Sequence, residues 1–176
     1  MTATPTIHVF VAGEVATAAN INLYGTAINW RMAPPIMQIR QTAAQSLASG
    51  TQTALLFDTE DVDSSNMHST VTNTSRATAV YPGWYRFCGG LPVATGATGR
   101  RGIRFMTLGT TVVPGSPVMY FPASAGQTEI ASRTVLIFLN VTDYVEAQGF
   151  QDNGGALNTV VAAPDQASMT AEWVSN

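Results

Sequence analysis

Lysine is missing altogether, and all eight basic residues are arginines. This excludes Schiff-base catalysis and a lysine-dependent phosphate loop. Cysteine occurs once, as Cys88, so no intrachain disulfide framework is available. One cysteine with two histidines, His8 and His68, falls short of the usual structural zinc sets. Charge of either sign is scarce: 11% of residues, against about a quarter in ordinary soluble domains. The net charge of −3 excludes a chain that binds nucleic acid through overall positive charge. The longest strongly apolar run, Val135–Leu139, is far short of the ~20 residues a spanning helix needs, so no membrane insertion is expected. Met1–Pro5 shows no basic stretch leading into an apolar run, so no secretory signal is expected. The triplets Asn73-Thr74-Ser75 and Asn140-Val141-Thr142 are therefore discounted as glycan acceptors. No Gly-x-Ser-x-Gly elbow and no 20–50-residue repeat occurs.

What is there is 176 residues, 45% of them hydrophobic, the size of one ordinary domain. So few charges give neighbouring copies little mutual repulsion, which points to a surface partly covered in an assembly. The first zone, Met1 to Ala33, holds Ile21, Tyr24 and Ile28 at helical spacing, with Thr17 placed to cap a helix running to Met32. Pro34-Pro35 ends it. Beyond lie short strand-like runs: Ile36–Gln41, Thr53–Phe57, Gly83–Cys88, Arg101–Leu108, Val118–Phe121, Arg133–Leu139, Tyr144–Phe150 and Met169–Val174. Turn-forming clusters such as Pro114-Gly115-Ser116-Pro117 and Asp152-Asn153-Gly154-Gly155 separate them, the pattern of an all-β sandwich or barrel. Arg133–Leu139 is apolar enough to be a strand buried on both faces, and Asp58–Asp63 reads as an acidic turn.

Two stretches carry a resemblance. Asn73–Phe87, with its Tyr81-Pro82-Gly83-Trp84-Tyr85-Arg86-Phe87 strand, resembles the central signature of the complement globular-head and tumour-necrosis-factor-like family. Leu136–Glu146 is similar to that family's apolar strand, turn, aspartate and second strand, with Thr142 where glycine is usual. The resemblance implies a two-sheet jelly roll of about ten antiparallel strands over residues 34–176, assembling as a homotrimer. Apolar and aromatic residues would meet at the threefold axis, for which Tyr85, Phe87, Phe138, Tyr144 and Phe150 are the candidates. The leader, residues 1–33, resembles the opening of tail-region proteins of phages that infect actinobacteria. The similarity lies in Phe10–Asn22 and the Ala33-Pro34-Pro35 junction. It implies a virion location, attachment to other capsid or tail proteins, and Phe10, Val11, Ile21, Tyr24, Ile28 and Trp30 as attachment residues.

The remaining candidates are few. Asp58, Asp61 and Asp63 are weak calcium ligands, lacking the EF-hand spacing. Arg100, Arg101 and Arg104 gather positive charge for contact with an acidic surface. Strand alternation puts Tyr85 and Phe87 on one face and Trp84 on the other, where Trp84 could line a sugar groove. Cys88 reads as a small buried hydrophobe. No cofactor is expected, and no convergent acid–base pair supports an enzyme. The expectation is a non-enzymatic structural protein of a virion. The alternative is a free carbohydrate-binding module recognising host cell-wall glycans.

Overall fold

The structure is a computed structural model that describes residues 4–120 and 129–176. Phe121, the last residue of one expected strand, lies outside the described residues. Helix α1 (Ala18–Met32) starts where the threonine hydroxyl of Thr17 accepts the N–H of Asn20 at 3.2 Å. That bond satisfies one of the orphan donors of the first turn. Pro34 and Pro35 then hold the chain extended into β1 (Ile36–Arg40).

Twelve further strands follow: β2 (Ser46–Leu47), β3 (Thr53–Ala54), β4 (Thr59–Asp63), β5 (Arg76–Thr78), β6 (Gly83–Val93), β7 (Arg101–Thr107), β8 (Thr111–Val112), β9 (Val118–Tyr120), β10 (Glu129–Leu139), β11 (Tyr144–Gln151), β12 (Leu157–Asn158) and β13 (Ser168–Ser175). Five form one antiparallel sheet in the order β10-β6-β13-β1-β4. The second follows β3-β11-β7-β8, with β5 on β11 and β9 on β7, and a small ladder joins β12 to β2. The fold is the all-β sandwich that the strand pattern predicts, in the form of the two-sheet antiparallel jelly roll that the family resemblance implies.

Alternation decides what fills the space between the sheets. Tyr85, Phe87, Ile137, Met169 and Trp173 from the first sheet meet Ile103, Phe105, Val145 and Ala147 from the second. Glycine is required where the sheets come closest. A Cβ at Gly149 would sit 2.8 Å from a methyl of Leu91 and 3.1 Å from one of Leu55.

Two expectations need correction. Asp58–Asp63 is mostly not a turn: Thr59–Asp63 is the edge strand β4, paired with β1 through registers such as Gln38 to Val62. Its acidic side chains suit an edge, where charge discourages pairing with another chain. Likewise β10 is not buried on both faces. Val135, Ile137 and Leu139 point into the core, whereas Leu136 and Phe138 are exposed. A continuous apolar run matches two-sided burial only where both sides are covered, and within one chain this outer side is bare.

Candidate assembly face and leader

The outer face of the five-stranded sheet is built by the register of its strands. Trp84 on β6 stands opposite Phe138 on β10, their rings edge to face at 5.6 Å. The next row sets Leu136 beside Arg86, Glu172 and Ile36. Arg86 and Glu172 pair at 3.0 Å and are the charges of that row. One step further, Thr134, Cys88, Thr170, Gln38 and Val62 line up across all five strands. Trp84 is 40% exposed, Leu136 53% and Phe138 47%. A shallow groove of about 250 Å³ runs over Cys88 between Ile36, Val62 and Arg86. Cys88 is exposed, which corrects its reading as a buried residue. It shares strand parity with Trp84 and Arg86, and that parity is the signal that could have placed it. The result is an exposed apolar band with a free thiol in it.

The residues expected at a threefold axis divide. Phe138 lies on this face. Tyr85 and Phe87 do not: each is 1% exposed, and they pack between the sheets. Burial pushes the Tyr85 phenol up to about 12, while its hydroxyl donates to the carbonyl of Tyr81 at 2.8 Å. Tyr144 and Phe150 belong to the other sheet. Tyr144 lies half-buried under the guanidinium of Arg76 at 4.1 Å, and Phe150 is buried with Arg100 5.7 Å over its ring. Four of the five candidates are therefore withdrawn from that role, because their faces are already filled by the chain itself.

The arginine cluster disperses as well. Arg101 is fully buried and donates to the carbonyls of Gly96, Thr98 and Arg100, so it braces a loop and meets no outside surface. Arg104 donates twice to the Gln148 side chain, at 2.9 and 2.7 Å. Arg100 pairs with Asp152 at 2.7 Å. The Arg100 backbone N–H and guanidinium together hold the Asp152 carboxyl below its ordinary value.

The acidic candidates likewise each have a partner of their own. Asp58 accepts the N–H groups of Thr42 and Ala43 at 2.7 and 2.8 Å. Asp61 pairs with Arg40 at 2.8 Å. Asp63 accepts the N–H groups of Ser65 and His68. They do not converge, and among the described residues no group of three or more metal-ligating side chains is placed to hold an ion.

The leader is tied to its own head. Trp30 packs edge to face on Tyr81 at 4.2 Å and on Trp173 at 5.5 Å. Tyr24 stacks on Phe10 and donates to the carbonyl of His8 at 2.5 Å. The Glu14 carboxylate gathers the Val11 N–H, His8 and Asn20. The backbone bond from Val11 is the chief reason that its carboxyl titrates below the ordinary value. Tyr24 and Trp30 are thereby corrected as attachment residues, since both turn toward the chain's own atoms. Phe10, Val11, Ile21 and Ile28 are exposed. Ile21, Ile28 and Met32 fall on the side of α1 opposite Trp30, because three- and four-residue steps return to one helical face. No helix among the described residues is long and apolar enough to cross a membrane.

Against solved structures the fold has many counterparts. The globular domain of zebrafish complement 1qA protein is 13% identical with a TM-score of 0.50, over 81% of this chain and 99% of that one. Murine APRIL at pH 8.5 is 9% identical with a TM-score of 0.58, over 78% and 98%. The same protein at pH 5.0 gives 6% and 0.58, over 80% and 98%. At these identities the likeness is one of fold. No family model and no curated sequence matches the chain.

Proposed function

We propose that this chain is a non-enzymatic structural protein of a virion, with a trimeric jelly-roll head and a leader that attaches it to the particle. The observation that carries the assembly half is the outer face of the five-stranded sheet, where Trp84, Leu136, Phe138, Ile36 and Val62 stand exposed around Cys88. Burying such a face stabilises by about 25 cal/mol per Å² of apolar area. The face carries an internally paired Arg86–Glu172, so copies can meet there without stranding a charge. The attachment half rests on the exposed side of α1, where Ile21, Ile28 and Met32 have no cover within the chain. The resemblance of Phe10–Asn22 and Ala33-Pro34-Pro35 to phage tail-region leaders supports the particle as the site of attachment in this reading. Other capsid or tail proteins would be the partners, and the loops of the head would face the host envelope.

Light scattering of the purified chain tests the assembly. A mass three times 18.6 kDa supports it. A monomer at all accessible concentrations, with Cys88 reacting freely with a thiol reagent, removes it. Ile21→Ser/Ile28→Ser protein, mixed with particles lacking the chain, tests attachment: a trimer that still joins particles as well as wild type sinks that half.

A further inference from the structure

Helix α1 turns two different sides to its surroundings. Asn20, Tyr24, Ala27 and Trp30 are half-buried against the rest of the chain. Ala18, Ile21, Gly25, Ile28 and Met32 are exposed, and they follow one another in steps of three, four, three and four. That is the spacing of a seam along which a second helix packs, and it runs the whole length of α1.

Gly25 stands in the middle of this seam and of the helix. Glycine is the poorest helix former after proline, and an exposed interior position ordinarily favours alanine. No contact within the chain accounts for it. Beyond its chain neighbours and the helix backbone, no atom lies within 4 Å of the place a Cβ would take. The glycine is therefore explained by something outside the chain that comes close to the backbone. Ile21, Tyr24, Gly25 and Ile28 occupy positions i, i+3, i+4 and i+7, the four corners of the hole that receives one side chain of a facing helix. Tyr24 is fixed at its corner by the Phe10 ring and the His8 carbonyl. Glycine at another corner deepens the hole, because no side chain fills it. Charge narrows the partner further. Arg31, in the last turn, is the one charged residue of α1, so the surface that matches the seam is apolar.

We infer that this seam receives an α-helix of the particle protein to which the leader attaches, and that this helix seats a large apolar side chain over Gly25. The inference rests on the attachment reading and deepens it: it names the partner's element, its apolar character and the register at which it docks.

The test uses the full-length protein and particles lacking it, with bound protein measured by co-sedimentation across a concentration series. Gly25→Leu carries the decision, because two views of an apolar helix face give it opposite signs. Leucine is a good helix former and the position is exposed, so folding is not at stake. On a non-specific apolar patch, an added leucine holds attachment constant or strengthens it. With a partner side chain seated over Gly25, leucine fills the hole and should weaken attachment about tenfold or more. Gly25→Ala should weaken it less, while circular dichroism shows helix content equal to wild type or above it. Thr26→Leu adds apolar bulk one residue along and off the seam, and should attach as wild type does. Attachment of Gly25→Leu at or above wild-type strength overturns the proposal, and so does an equal loss in Thr26→Leu. The Ile21→Ser/Ile28→Ser protein separates this proposal from the attachment reading. If it detaches while Gly25→Leu binds normally, the leader attaches by its apolar side but seats no helix at Gly25. If both bind normally, both readings fall.

Discussion

The two sheets have outer faces of opposite character. On the six-stranded sheet the arginines and outward aromatic rings among the described side chains have partners in their own chain, and the apolar residues left exposed there, Val112 and Met119, stand on its short outer strands. Arg76 lies on Tyr144 and 3.6 Å from Glu146, whose carboxylate also takes the Ser75 hydroxyl at 2.7 Å. Arg104 meets Gln148, and Arg100 covers Phe150 while it pairs with Asp152. On the five-stranded sheet the charges reduce to a few pairs, and Trp84, Leu136 and Phe138 are left open. A face finished by its own chain gains little from a second copy, because its groups have no unmet bonds to satisfy. A face left apolar and open is the one on which association removes surface from water. The contrast favours the five-stranded face for the proposed assembly more sharply than composition does, since both faces come from the same low-charge sequence.

The largest effects should separate the inner and outer sides of β6 and β10. Phe87→Ala removes a ring wedged between the sheets against Tyr85 and Phe105, and about 3–5 kcal/mol of unfolding free energy should go with it. Trp84→Ser/Phe138→Ser, a cross-strand pair three residues along from the Phe87–Val135 pair, should leave the chain's stability within about 1 kcal/mol, yet abolish the proposed trimer. Chemical denaturation reads the first, and light scattering with Cys88 labelling reads the second. Equal stability losses in the two variants, with the oligomer intact in both, would erase the distinction between the faces.

That distinction was half legible in the sequence. Alternation alone sends Tyr85 and Phe87 to one side and Trp84 to the other, and the helix cap at Thr17 and the break at Pro34-Pro35 sit where local chemistry puts them. Local pattern does not say which side is the core. Tyr85 and Phe87 were therefore equally good axis residues until the second sheet was seen to cover them. Tyr144 and Phe150 read as apolar strand residues, but the arginines that shield them come from β5 and from just before β7, distant in sequence. Arg101 shows the same limit from the polar side: nothing near it in sequence marks a buried arginine whose two terminal nitrogens donate to loop carbonyls. The acidic run Asp58–Asp63 was visible as charge. Its dispersal onto Thr42, Arg40 and the loop after β4 depends on a strand register that composition does not encode.

A smaller effect tests how complete the finished face is. Glu146 is nearly buried, holding Ser75 and facing Arg76. Glu146→Gln keeps the shape but loses the charge that those donors address, and should lower stability by about 1–3 kcal/mol with no change in oligomer mass. If the trimer is lost instead, the six-stranded sheet also takes part in assembly, and the contrast between the faces weakens.

The smallest effect concerns the edge where the two sheets connect. Burial of Asp58 works to raise its carboxyl, but the backbone N–H groups of Thr42 and Ala43 and the hydroxyls of Thr42 and Thr59 outweigh it. The group therefore titrates below its ordinary 3.8. A carboxylate whose folded value is depressed contributes stability above its unfolded value, and that contribution fades as pH falls through the folded one. Asp58→Asn should thus be destabilised at pH 7 by about 0.5–1 kcal/mol, a modest figure because the side chain faces solvent. The gap to wild type should narrow below about pH 4 and close once the wild-type carboxyl is protonated, because the protonated acid no longer accepts both N–H bonds as an anion. Urea midpoints of the two proteins across that range measure it. A gap that stays constant down to the lowest pH would mean that the amide fails for reasons of shape, and that the charge of Asp58 adds nothing to the turn it closes.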